Sequence, residues 1–140
     1  MSARTVYLIK RIETEVTQRM NKALATYDVT LAQYIVLDFV YSNPSDFSSA
    51  QLSRRFKMTP QSMNEVVTTL QRKELLEKNT ASDNKRILRI SLTDKGIELL
   101  TACNEAVDLV EQTLFNSISS EELSVFRTLI GKVLSTTRIS

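Results

Sequence analysis

A run of residues between Thr59 and Lys73 carries the chemistry most worth following. Met63, Val66, Val67 and Leu70 fall at i, i+3, i+4 and i+7, the spacing of one apolar helix face. That register turns Gln61, Glu65, Thr68 and Arg72 outward, with Ser62, Asn64 and Thr69 beside them. Gln and Asn bond bidentately to adenine, Ser and Thr both donate and accept, and Arg favours guanine or phosphate, so this face has the chemistry of reading base edges. Glu65 fits by accepting from a cytosine amino group, by pairing with an arginine, or by facing away from phosphate. An ordinary solvated helix face is the other reading of the same pattern.

Charge points the same way. From Ser48 to Leu92 nine Lys or Arg stand against four acidic residues, a balance of +5, whereas the rest of the chain has a balance of −3. A polyanion would select such an asymmetry, which the net +2 conceals. Beyond the polar helix, Leu88, Ile90 and Leu92 alternate with Ile87, Arg89 and Ser91 in the period of a half-buried strand. Leu76 to Thr80 can pair with it across a polar tip, Ala81 to Arg86. Lys85 and Arg86 on that tip are candidates for phosphates or the negative potential of a minor groove, and are otherwise two solvated turn residues.

These residues need helices to hold them, and five positions carry a helix-start signal. Thr30 with Gln33, Ser48 with Gln51 and Ser119 with Glu122 have the spacing of capping boxes; Thr59, followed by Pro60, and Thr93 are N-caps without the box partner. With an opening helix from about Ser2 to Tyr27 they predict six helices, broken at Asp28-Val29, at Ser42 to Ser45, at Lys57-Met58 and by the hairpin. The fold class expected is mainly α with a small β-hairpin wing: a winged helix-turn-helix over about residues 30–92. Ser48 to Phe56 supplies the first helix and Thr59 to Lys73 the one that enters a major groove. The helix N-terminus at Thr59 and the unpaired N–H groups after it suit a phosphate, because the macrodipole and free donors favour an anion.

The ends, about 1–27 and 93–140, carry apolar stripes: Ile9, Ile12, Val16, Met20, Ala23 and Tyr27; Ile97, Leu100, Cys103, Val107, Val110 and Leu114; then Leu123, Phe126, Ile130 and Val133. Such stripes need burial against each other or a second chain, and a two-fold dimer would set two recognition helices roughly 34–36 Å apart, one turn of DNA. The whole is expected to be one body of 140 residues. No apolar run approaches the ~20 residues of a membrane span, and no signal core follows Met1, which reads as cytoplasmic.

With no histidine, one cysteine, and neither a Gly-rich phosphate loop nor an inward carboxylate pair, catalysis, a metal cluster and a cofactor are not expected. Cys103 cannot form an internal disulfide; its place in an apolar stripe favours a buried thiol over a redox sensor. Tyr34, Tyr41 and Phe47 are candidates for an aromatic ligand pocket, or ordinary core and interface aromatics.

The chain resembles the MarR family of bacterial regulators along essentially its whole length. The match is densest over Leu52 to Met63, Leu70 to Leu76, and Asp83 to Arg86 with Leu92-Thr93-Asp94-Lys95-Gly96, whose Leu-Thr-x-x-Gly after a basic wing is the family's most distinctive local signature. One departure stands out: where family wings carry Asp-x-Arg, this chain has Asn84 and Arg86, with Asp83 one residue earlier. Either the wing is a residue longer or Asn84 replaces the carboxylate. The resemblance implies a homodimer bound to double-stranded DNA at a pseudo-palindromic operator. It also implies repression relieved by a small, often phenolic or aromatic, ligand held between the DNA-binding and dimer parts. On that reading the DNA-binding residues are Ser48, Thr59, Gln61, Ser62, Asn64, Thr68, Arg72, Lys85 and Arg86. A winged helix that binds protein, and a redox-responsive regulator using Cys103, stay open beside it.

Overall fold

The computed structural model describes residues 3–44, 47–80 and 88–137. In chain order it has α1 (Thr5–Ala25), α2 (Leu31–Ser42), α3 (Ser49–Arg55), α4 (Pro60–Arg72), β1 (Leu76–Thr80), β2 (Leu88–Leu92), α5 (Asp94–Leu114) and α6 (Ser120–Thr137). All five anticipated caps form. Thr30 and Gln33, Ser48 and Gln51, and Ser119 and Glu122 close reciprocal boxes with N···O distances of 2.8–3.2 Å. Thr59 accepts from Ser62 N–H at 3.0 Å and Thr93 from Gly96 N–H at 3.0 Å. Each cap satisfies backbone donors that the helix leaves open and contributes about 1 kcal/mol.

Helix ends are made less conventionally. Asp28, Lys57 and Glu74 adopt positive φ, at 54°, 52° and 62°. Each closes a Schellman turn: Val29 N–H reaches Leu24 O (3.4 Å), Met58 N–H reaches Ser53 O (2.9 Å) and Leu75 N–H reaches Leu70 O (2.9 Å). Glycine usually occupies this position because it has no Cβ to clash, yet the chain's two glycines lie elsewhere, so three L-residues carry the strain. The turn at Lys57 is the bend of the helix-turn-helix itself.

The described residues group into two compact units, 1–107 and 108–140. The first holds the core: Leu24, Val36, Leu37, Leu52, Met63, Val67, Leu70, Leu76, Ile90, Leu100 and Cys103 are all at or below 2% exposure. The hairpin is antiparallel, with Leu76 opposite Leu92 and Lys78 opposite Ile90. Its second strand is anchored further by Ile90 N–H to Phe47 O at 3.2 Å, beside the ring of Phe47, which packs on Phe39 at 5.1 Å.

The terminal stripe of α1 divides. Met20 and Leu24 belong to the core, while Val6, Tyr7, Leu8, Ile9 and Ile12 stay 44–72% exposed. In the second unit Phe115 meets Phe126 at 6.0 Å, but α6 buries no residue and leaves Val125, Leu129, Ile130, Val133 and Leu134 open. A unit this small cannot build a sufficient core alone. Among the described residues, no helix is long and apolar enough to cross a membrane.

Candidate nucleic-acid interface

Helix α4 is presented as its periodicity requires. Met63, Val67 and Leu70 are buried and Val66 is half-buried, which leaves Gln61, Ser62, Asn64, Glu65, Thr68 and Arg72 exposed along the opposite side. The two helices before and after the Lys57 bend share this core through Leu52 and Met63, so the exposed face sits on a rigid support. Three of the candidate contacts have a second duty. Ser48 and Thr59 cap α3 and α4, and Thr59 Oγ1 donates to Ser62 Oγ at 2.9 Å. A hydroxyl that accepts a bond still has its own O–H to donate, so capping leaves Ser48 and Ser62 able to meet a phosphate. Thr68 and Arg72 follow Asn64 by about one and two turns along the exposed side. Lys85 and Arg86, with Asp83 and Asn84, lie outside the described residues.

The base of the wing is tied to the end of α4 and the start of α5 by Thr93 and its neighbours. Thr93 N–H donates to Leu75 O at 3.1 Å, its Oγ1 donates to Glu74 O at 2.7 Å, and the same oxygen accepts from Gly96 N–H. Lys95 Nζ adds a bond to Lys73 O at 3.1 Å. Gly96 is required by close approach: a Cβ there would overlap the backbone carbonyl of Leu75. The Leu-Thr-x-x-Gly signature is thus a junction at which α4, the hairpin and the long helix α5 are locked together.

The comparisons with known proteins agree with this geometry. A profile described as the MarR family matches residues 27–87, which begin after α1 and include α2, α3, α4 and β1. The crystal structure of the S. aureus MepR–DNA complex superposes with a TM-score of 0.80 at 26% identity, over 97% of this chain and 99% of that one. Wild-type apo MarR from E. coli gives 0.79 at 21% identity, covering 96% and 99%. A Mycobacterium tuberculosis MarR family protein, Rv2887, in complex with salicylic acid gives 0.76 at 23% identity, covering 94% and 97%.

Residues 27–87 are similar to the MarR family, and the chain shares its fold with MarR-family regulators. MarR-family proteins are DNA-binding transcription regulators rather than enzymes.

Among the described residues, the three aromatics considered for a ligand have different surroundings. Tyr34 is buried and donates from its hydroxyl to Asn104 Oδ1 at 2.6 Å, joining α2 to α5. Phe47 packs with Phe39, whose ring also meets Phe56 at 5.1 Å and lies 5.4 Å from the Arg55 guanidinium. Tyr41 alone of the three lines a cleft of about 310 Å³ with Val40, Pro44, Arg89, Ile90, Ser91, Leu92 and Ile97. Cys103 is fully buried, and desolvation pushes its thiol pKa above the ordinary value, the opposite of a reactive thiolate. Sequence reasoning gave no role to Asn104 and counted Lys73 only as a basic charge; a polar residue on an otherwise apolar stripe was the one available hint for Asn104.

Proposed function

We propose that this chain is a MarR-family regulator, a homodimeric repressor that reads a pseudo-palindromic operator with α4 and steadies itself on phosphates with the wing. The observation that carries the reading is the exposed row Gln61, Ser62, Asn64, Thr68 and Arg72, backed by buried Met63, Val67 and Leu70. Ser48, Thr59, Lys85 and Arg86 complete the proposed contacts, with the hydroxyls and the two basic residues on phosphate and Gln61 and Asn64 on base edges. The likeness to MepR, crystallised with DNA, supports it at 26% identity. Dimerisation is supported by the exposed apolar ends of α1 and α6, which a second copy would cover. The single-domain organisation, with residues 30–92 as the DNA-binding part and both ends pairing with a second copy, belongs to the same proposal. For a small aromatic effector we favour the Tyr41 cleft, whose apolar walls and single arginine suit a ring bearing an anionic group.

The deciding experiment is selection of bound duplexes from a random library at ~150 mM salt, followed by sequencing. The reading expects an enriched palindrome with half-sites about one helical turn apart. A folded dimer that enriches nothing would sink it and favour a protein-binding winged helix.

A further inference from the structure

Lys73 looks in the sequence like one more positive charge for DNA, following Arg72 at the end of the reading helix. Its ammonium is directed elsewhere. Lys73 Nζ donates to the backbone carbonyl of Asp28 at 2.6 Å and approaches Gln33 Oε1 at 3.4 Å and Asp28 Oδ2 at 3.6 Å. The side chain is 31% exposed, while the Asp28 carboxylate is 98% exposed. Gln33 Oε1 is also the acceptor that closes the α2 capping box with Thr30 N–H. Meanwhile Lys73 O accepts from Lys95 Nζ, and the next residue, Glu74, makes the strained turn and accepts from Thr93.

We infer that Lys73 is a positioning residue: a strut that fixes the C-terminal end of α4 to the corner between α1 and α2, and no part of the charge that meets phosphate. The inference rests on the DNA-binding reading of α4. An ammonium that donates to a main-chain carbonyl at 2.6 Å is committed by a charge-assisted bond, which is short and strong. Base readout depends on the helix axis to within a fraction of an ångström, whereas phosphate attraction falls off slowly with distance. Removing the strut therefore degrades discrimination and leaves general attraction to DNA in place.

The test measures affinity of the full-length protein for a selected operator and for a random duplex across a salt series, for unaltered protein, Lys73→Met, Lys73→Arg and Asp28→Asn. Lys73→Met is expected to weaken operator binding about tenfold, to change random-duplex binding by less than about twofold, and to keep the slope of log K against log salt, because no phosphate contact is lost. Lys73→Arg, which restores a charged donor, should recover most of the operator affinity. Asp28→Asn should behave as unaltered protein, since the acceptor that matters is the carbonyl. Equal losses on both duplexes with a slope reduced by roughly 0.9 would make Lys73 a phosphate contact and overturn the proposal. A lowered melting temperature with unchanged operator affinity would make it merely structural and overturn it equally. If the unaltered protein shows no salt-dependent duplex binding, the DNA-binding reading falls and takes the strut's role with it; binding by the unaltered protein confines any failure to Lys73.

Discussion

On the proposed reading, Gln61 and Asn64 are the residues whose chemistry distinguishes reading a sequence from merely holding DNA. Replacing either with Ala should shift the selected operator at one position and cost about 1–3 kcal/mol there, with little change on random duplex. Equal losses on both would move these two side chains from base edges to backbone. Cys103 supports a prediction of a different kind. Burial raises its pKa in the folded chain, so the thiol is held protonated while the unfolded chain ionises near the ordinary value of 9.0. The associated stability is complete below about pH 9 and declines as pH rises from there through the raised folded value. Urea unfolding from pH 7 upward should show that decline, absent in Cys103→Ala, and a thiol-labelling reagent should react only as fast as the protein opens. Rapid labelling of the native state would return Cys103 to candidacy as a sensor.

At the scale of elements, the junction of α4, the hairpin and α5 concentrates what the fold depends on. Gly96→Ala would force a methyl group against the Leu75 carbonyl and should destabilise by about 1–3 kcal/mol, read as a lower denaturation midpoint at unchanged slope. An unchanged midpoint would mean that α5 can shift along the hairpin base. Glu74→Gly should act in the opposite sense. Its φ of 62° is costly for an L-residue and free for glycine, and the exposed Glu74 side chain is dispensable, so the gain is about 0.5–1 kcal/mol after glycine's extra unfolded entropy. A loss of stability on that substitution would show that the Glu74 side chain matters more than its backbone.

At the scale of the whole molecule, the exposed apolar ends of the chain set the expectation. Val6, Ile9 and Ile12 on α1 and Leu129, Ile130 and Val133 on α6 are too many and too contiguous in each helix for a surface that faces only water. Light scattering after size exclusion should report twice the 15.9 kDa chain mass at micromolar concentration, and Ile12→Glu should lower it toward one chain and abolish operator selection. A stable unaltered monomer would remove the basis for a two-fold operator.

Local signals determined much of this molecule. The caps at Thr30, Ser48, Thr59, Thr93 and Ser119 and the alternation around Ile90 are written in neighbouring residues, because a cap bonds within three positions and a strand face repeats every second one. The outward face of α4 was legible for the same reason: a 3.6-residue period separates Met63, Val67 and Leu70 from Gln61, Asn64 and Thr68 without reference to anything distant. Tertiary structure decided the rest. The stripe of α1 reads as one face, yet only packing shows that Met20 and Leu24 enter the core while Ile9 and Ile12 remain uncovered. Tyr34, Tyr41 and Phe47 share a residue type, but contacts far along the chain send Tyr34 to Asn104 and leave Tyr41 on the cleft. Lys73 is the plainest case: its charge is visible in the sequence, but the partner that claims it is a main-chain carbonyl forty-five residues away, and every residue has one of those.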